Sequence, residues 1–420
     1  MFKNIEQCIS FIETSKRSST KTLEHMKLLC EIYGNPQDNI KYIHVAGTNG
    51  KGSTVSYLRE IFYNAGLRVG TFTSPYIECF NERITYNKQY ISDELIIKYT
   101  NEIVSKYDYL KENNIELPSF FALCTLICFM YFRDVKPDVA ILEVGIGGLL
   151  DSTNVITPLL SIISNVSYDH MSILGDTLEQ IAENKLGIVK PNVPLVTINN
   201  PLINELIINT CEKLNSKLIL VNQDDIKNIN ISIGESKFDY KQYKNILLKM
   251  SGKHQTENAS LVIEAINLLK ENFLISDENI YQGLSKTFWP GRLEVIQNNP
   301  YIILDGAHNI DGITRLHDFI KTIKNDFNKI VLVLAISSNK ETEKMINEIE
   351  CDVDEIIFTS FTYKRSEDYN ILYEYSKHPK KRKCEDIGEL INLSKSNKDE
   401  NIVWIFSGSL YFVSELRKRF

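Results

Sequence analysis

No run of apolar residues in this chain reaches the length needed to cross a bilayer. Its first stretch, Met1 to Arg17, has no apolar core followed by a cleavage signal. The expectation is a cytoplasmic protein with no membrane association. Positive charge is also in short supply: 47 lysines and arginines stand against 54 aspartates and glutamates, a net charge of −7. That balance argues against a nucleic-acid-binding surface and gives anionic ligands no long-range attraction, so any phosphate must be held by local donors. CxxC pairs are absent. The eight cysteines are scattered, and Cys124 and Cys128 stand at helical spacing inside the apolar stretch 120–132, which reads as core thiols rather than metal ligands or disulfides. Proline is sparse, but with the abundance of Asn, Ile and Lys this looks like genome composition and carries no mechanism. Internal repeats and low-complexity segments are missing. The one basic cluster, Lys377 to Lys383, reads as a solvated loop.

What is present is ordinary globular composition, 43% hydrophobic and 24% charged, in a chain of 420 residues that is long for one core. Short Ile- and Val-rich runs alternate with amphipathic segments of helix length, the signature of an α/β fold with a mainly parallel sheet covered by helices. Strands are expected at 41–46, 68–73, 139–144, 160–165 and 194–198. Helices are expected at 53–65, 93–111, 119–133 and 178–189. The rhythm pauses around Trp289-Pro-Gly-Arg-Leu-Glu294, and a second series begins with a strand at 301–304. Further strands are expected at 330–335, 355–359 and 402–406, with a last helix at 410–418. We therefore divide the chain into a larger domain, 1–294, with a P-loop-type sheet flanked by helices, and a smaller C-terminal α/β, Rossmann-like domain, 295–420.

The most informative segment runs from Tyr42 to Thr54, an apolar strand that breaks into Gly47-Thr-Asn-Gly-Lys-Gly-Ser53 and opens a helix. Glycines leave backbone N–H groups uncrowded around a polyphosphate, Lys51 can reach its outer oxygens, and the helix offers its positive end. The standard phosphate-loop pattern is only partly met. Val45 stands at the first glycine position, and Gly52 separates Lys51 from the hydroxyls of Ser53 and Thr54.

Other polar groups fall just after strands, where open parallel sheets bind ligands. Ser74, followed by Glu82 and Arg83, offers a hydroxyl to a metal; the alternative is a Ser-Pro turn with a surface Glu-Arg pair. Glu143 ends an apolar strand before Gly145, Gly147 and Gly148, and an unpaired carboxylate there is costly to bury. A magnesium ligand is favoured over a surface-turn glutamate. Asp169 and His170 follow another strand, so His170 is either a third metal candidate or a hydrogen-bonded structural histidine. Lys185 lies on an apolar helical face, either snorkelling or chemically special. In the second series Asp305 and His308 flank Gly306 at a strand end, and with Arg292 they offer donors to a cleft.

Taken together, these segments resemble the Mur-ligase-like ATP-dependent amide ligases, and within them the folylpolyglutamate synthase/dihydrofolate synthase family. The motifs recur in family order: Gly47 to Ser53, Thr73-Ser-Pro75 with Glu82-Arg-Ile84, Glu143-Val-Gly145 with Asp151 and Thr153-Asn154, Asp169-His170 with Leu174-Gly175, Lys185, Pro290-Gly-Arg292, and Asp305-Gly-Ala-His-Asn309. Gly408-Ser-Leu-Tyr411 extends the likeness toward the C-terminus. The family's own loop carries a glycine after its lysine, as at Gly52.

The resemblance implies ATP bound by Gly47, Thr48, Asn49, Gly50, Lys51, Gly52 and Ser53, with Asn258 and Arg292 also contacting nucleotide. It implies two magnesium ions, with Ser74, Glu143 and His170 as ligands, and Lys185 as a carbamylated lysine supporting the second. Lys51, Lys185, Asp305 and His308 are implied as catalytic residues, the last two helping to close an active site near the domain interface. The implied reaction adds L-glutamate to folate, either alone or also to dihydropteroate, through an acyl phosphate, in a monomer. Three positions depart from the family pattern. Leu149 replaces an arginine, Ala122 a glutamate and Asn184 a glutamate; loss of both members of one Arg–Glu pair would be a compensated change. Two other readings compete: a Mur-type ligase with a different carboxylate acceptor, and a non-catalytic nucleotide-binding homologue. The second would lack one of Lys51, Glu143, His170 or Lys185, and all four are present.

Overall fold

Strand β1, Tyr42–Ala46, is buried along its whole length, because strands of a parallel sheet are covered on both faces. It lies in a computed structural model that describes residues 1–15, 22–396 and 401–420. The first compact unit comprises residues 1–223 and 261–283. Its further strands are β2 Val69–Phe72, β3 Ile84–Tyr86, β4 Gln89–Tyr90, β5 Val139–Glu143, β6 Leu160–Ile163, β7 Leu195–Ile198 and β8 Leu218–Val221. They form one sheet in the order β4-β3-β2-β5-β1-β6-β7-β8. Along the sheet from β2 to β8 all neighbours are parallel, while the β2–β3 and β3–β4 pairs at the edge are antiparallel. The chain leaves β1 toward β2 on one side, while β6 continues the sheet on the other. The carboxyl end of β1 is therefore a topological switch point, where such sheets open a crevice for ligands.

Helices cover both faces. Phe120–Val135 is apolar all round and almost wholly buried, joining a core with Ile12, Leu29, Tyr99 and Leu142. On the same face, farther along the sheet, Ala182 and Leu186 pack with Ala46, Val144 and Ile163. The single helix expected over 93–111 is two, Asp93–Val104 and Tyr107–Glu112. The break coincides with the Tyr33 hydroxyl donating to the Ile103 carbonyl at 2.8 Å and with Lys106 N turning to that same oxygen at 3.2 Å.

The second compact unit comprises residues 224–260 and 284–420. It holds a three-stranded antiparallel sheet of β9 Ile226–Ser232, β10 Glu235–Tyr240 and β11 Tyr243–Leu248. It also holds a six-stranded sheet of β12 Glu294–Asn298, β13 Tyr301–Leu304, β14 Lys329–Leu334, β15 Glu355–Phe358, β16 Lys381–Lys383 and β17 Ile402–Ser407, in the order β12-β13-β17-β14-β15-β16. Only β12 is antiparallel. Ile231 and Ile233 pack on the core of Leu293, Ile303 and Leu332, which ties the small sheet to this unit.

Two expectations are corrected here. The basic cluster is not all loop, because Lys381–Lys383 forms edge strand β16, held by Arg382 against Glu355 at 2.5 Å and by Lys381 against the Tyr373 and Ser376 carbonyls. Charged residues suit an edge strand, since they discourage further pairing. The thiols are not uniformly core either: six are buried, but Cys79 and Cys351 are exposed. Among the described residues no helix is long and apolar enough to cross a membrane.

Candidate functional site

The glycine loop leaves β1 through Gly47, at φ +152°, where any Cβ would collide with the Ser164 hydroxyl, and enters the helix Lys51–Asn64 through Gly50 at φ +81°. The end of β6 splints it. Thr48 N donates to the Asn165 carbonyl (3.0 Å), Asn49 N to Asn165 Oδ1 (2.7 Å), and the Ser164 hydroxyl to the Asn49 carbonyl (2.5 Å). Thr48 and Ser167 bond reciprocally through the threonine hydroxyl at 2.9 and 3.0 Å. The loop is thus shaped before any ligand arrives. Lys51 Nζ donates to the carbonyls of Gly47 and Thr48, both at 3.0 Å, so its ammonium lies against the loop.

Glu143 ends β5, and its neighbour in the sheet across from it is Val45 of β1. It is only 3% exposed, which excludes the surface-turn reading. Strands β2 and β5 pair at Phe72 and Leu142, and two residues beyond Phe72 the Ser74 N–H donates to Glu143 Oε2 at 3.2 Å. The carboxylate of Glu82 gathers the N–H groups of Ile77, Glu78 and Cys79 at 2.8 to 2.9 Å, folding the loop that carries Ser74. Arg83 is no surface residue: it is buried over the rings of Tyr76, Phe80 and Phe120.

His170 adopts φ +52°, a conformation uncommon outside glycine, and its N–H is held by Asp169 Oδ1 at 2.8 Å. Lys185, on the helix Leu178–Leu186, is 2% exposed. Burial, then the charge of Lys51, brings its amine down from the ordinary lysine value to about 7, opposed by Asp169. Snorkelling is therefore excluded. A hydroxyl, a buried carboxylate and an imidazole are groups whose chemistry suits a magnesium ion beside bound phosphates.

The glycine-rich segment after Glu143 is wound around a residue that spacing did not single out as an organiser. Asp151 accepts from Gly145 N and Ile146 N (3.0 and 3.2 Å) and from the amide and hydroxyl of Thr153 (3.0 and 2.6 Å). Burial pushes its carboxyl upward, against those four donors. Since the Thr153 hydroxyl spends its proton on Asp151, it accepts from His44 Nε2 at 2.8 Å, and His44 Nδ1 is buried with no hydrogen-bond partner among the described residues. A histidine inside an otherwise apolar strand was the available signal. Asn154 ties this loop to the lysine-bearing helix by donating to the Leu149 and Gly187 carbonyls at 3.0 and 2.9 Å.

In the second unit Asp305 is buried, accepting from Leu293 N (3.0 Å) and Ala307 N (2.9 Å); burial pushes its carboxyl up while Arg292 opposes. His308 Nδ1 meets the Gly306 carbonyl at 2.8 Å, which requires the proton on Nδ1. Asn309 caps the following helix, Ile310–Ile323. Asn258 is buried, 3.3 Å from Gln255 Oε1. Four residues earlier, His254 is partly buried, and its imidazole is held down to about 3 by desolvation and then by the charges of Arg315 and Arg292. The structure thus associates Lys51 with Lys185 and Asp169, Ser74 with Glu143, and Arg292 with Asp305.

Comparison with known proteins agrees in extent. Residues 45–266 match the Mur ligase middle domain and residues 291–410 the Mur ligase glutamate ligase domain. The chain is 38% identical to the dihydrofolate synthase/folylpolyglutamate synthase of Bacillus subtilis, over 100% of both chains. It superposes on the crystal structure of folylpolyglutamate synthase from Thermotoga maritima with a TM-score of 0.84 at 31% identity, covering 99% of this chain and 96% of that one. A folylpolyglutamate synthase complex with AMPPCP and folate gives 0.84 at 28% identity, with 99% of each chain covered.

Proposed function

Because the chain belongs to the Mur ligases, in the folylpolyglutamate synthase/dihydrofolate synthase family, we propose that it joins L-glutamate to the carboxylate of folate, and to dihydropteroate, using ATP. The observation that carries this reading is the pairing of a preshaped phosphate loop with a buried lysine whose amine stands near 7 beside Lys51. A loop that merely binds nucleotide has no need of a second, buried amine at neutral pH.

The reaction follows from a chemical requirement. A carboxylate is too poor an electrophile for an amine to attack, so it must be activated. A carboxylate oxygen of the folate bonds to the γ-phosphorus of ATP as the bond to ADP breaks, giving an acyl phosphate. The amino nitrogen of glutamate then attacks the carbonyl carbon, loses a proton, and expels phosphate as the amide forms. Amides of Gly47 to Ser53 hold the polyphosphate, and Lys51 leaves its loop carbonyls to offset charge on the transferring group. Asn258 and Arg292 contact nucleotide. Asp305 shapes the backbone around His308, and His308, with its proton on Nδ1, presents Nε2 as a proton acceptor.

Ser74, Glu143 and His170 would hold magnesium, with carbamylated Lys185 supporting a second ion. The metal, when bound, supplies positive charge to the phosphoryl oxygens. On this reading residues 1–294 carry ATP and metal and residues 295–420 serve glutamate ligation, in a cytoplasmic monomer. The deciding experiment follows ATP-dependent incorporation of labelled glutamate into dihydropteroate and into tetrahydrofolate monoglutamate, side by side. Incorporation into either supports the ligase, and failure with both overturns the choice of acceptor.

A further inference from the structure

Away from every residue used above, three side chains of the second unit converge on one point. His317 lies on the helix Ile310–Ile323, and Cys351 and Asp352 lie in the turn Glu350–Asp352 that follows the helix Thr342–Ile349. His317 Nε2, Cys351 Sγ and Asp352 Oδ2 all fall within 4.8 Å of one another. The individual separations are 2.7 Å from nitrogen to oxygen, 3.8 Å from sulfur to nitrogen and 3.7 Å from sulfur to oxygen. We propose that these three atoms form a binding site for a borderline-soft divalent cation of the zinc type, completed by water.

The donor set suits that ion. Thiolate, imidazole and carboxylate are the ligands zinc takes, whereas magnesium and calcium prefer oxygen alone. A tetrahedral zinc with bonds of about 2.0 to 2.3 Å holds its ligand atoms about 3.3 to 3.6 Å apart. The two sulfur separations already lie close to that, and only the His317–Asp352 contact must open, by about half an ångström.

The surroundings are those of a metal-binding histidine. The His317 ring is buried, and its other nitrogen, Nδ1, stands 3.2 Å from Glu348 Oε1. A carboxylate on the far ring nitrogen fixes tautomer and orientation and leaves Nε2 to the ion. Lys324 bonds Asp352 through Oδ1 at 2.8 Å and so does not compete for Oδ2, whose present partners are the two other proposed ligands, His317 and Cys351. Cys351 is exposed and gives the ion a path from solvent; its thiol proton, and the proton shared between His317 Nε2 and Asp352 Oδ2, pass to solvent as the ligand–metal bonds form. An ion here would tie the middle of one helix to the turn after another, adding a metal staple to two elements that already share the apolar core of Leu316, Ile320 and Ile346. The cluster contains none of the residues assigned to ligation, so this inference stands apart from the proposed function.

The test uses the full chain with magnesium in excess. Cobalt(II) should bind at one equivalent with a thiolate-to-cobalt charge-transfer absorption, and zinc should displace it in competition with a chromophoric chelator. Cys351→Ser, a change at an exposed position, should abolish the charge-transfer band, while Cys79→Ser, at the other exposed thiol, should leave it intact. Glu348→Gln should weaken zinc binding by about 10- to 100-fold. Zinc should raise the unfolding midpoint of the wild type and not of Cys351→Ser. Absence of the charge-transfer band in the wild type, or equal zinc affinity in wild type and Cys351→Ser, overturns the site.

Discussion

Lys51 and Lys185 work against each other: after burial, the charge of Lys51 is the next cause that holds the Lys185 amine down to about 7. Only a neutral amine attacks carbon dioxide, so on the proposed reading the pair prepares Lys185 for carbamylation. With labelled bicarbonate, carbon NMR should show one carbamate signal that Lys185→Gln removes. Lys51→Met should raise the Lys185 value, and each unit of rise leaves about tenfold less neutral amine. Its signal at neutral pH should therefore fall, and a wild-type spectrum without a carbamate would remove the modification from the reading.

Glu143 is buried and shares its Oε2 with the Ser74 amide. Glu143→Gln keeps the shape and removes the charge, so the fold should survive while the magnesium concentration for half-maximal activity rises at least about tenfold. Titrating activity against magnesium in both proteins measures this. Superimposable curves would take Glu143 out of the metal site.

His44 predicts how the protein fails in acid. Burial, reinforced by Lys190, holds its imidazole down to about 3, whereas the unfolded chain protonates near the ordinary histidine value of about 6.5. The unfolded state therefore takes up the proton first. This contribution to stability is complete above about pH 6.5 and is lost as pH falls toward 3, by up to about 1.4 kcal/mol for each pH unit. Urea midpoints at pH 7, 6, 5 and 4 should fall less steeply for His44→Gln than for the wild type. Parallel profiles would contradict the assignment.

Ala122 and Leu149 offer a test of compensated loss. Ala122 is buried at the third position of a helix capped by Ser119, which accepts its N–H at 3.4 Å, and Leu149 is half-exposed. If the pair was lost together, Ala122→Glu and Leu149→Arg should each destabilise alone and recover stability in combination, with a coupling of at least about 0.5 kcal/mol. Additive effects in denaturant unfolding would dispose of the pairing. A recovery seen in Ala122→Glu alone would instead point to a capping box with Ser119.

Much of this was legible because glycine and charge at strand ends are loud signals. Gly47 to Ser53, Glu143 and Asp305 sit where an apolar run stops, and nine strands of the two parallel series match their expected positions within one or two residues, while β8 and β16 were not expected. Less visible was whatever depends on who donates to whom. Asp151 has the look of any turn aspartate until four donors converge on it. The strands between Ile226 and Leu248 escaped because β9 alternates isoleucine with asparagine and lysine, a weak pattern beside the continuous runs of the parallel sheets. Cys351 was grouped with the core thiols because spacing alone says nothing about exposure.

The polypeptide passes between its two compact units three times, after Gln223, Ser260 and Gly283, and the middle passage falls inside the unbroken helix Lys253–Phe273. For genetic dissection this means that no single cut in the reading frame yields both units whole. A fragment ending anywhere between 224 and 283 strands part of one unit without its partners, so complementation between two separately expressed halves should fail for such cuts. Dominant interference by truncated products is then to be looked for only among chains that end after residue 283.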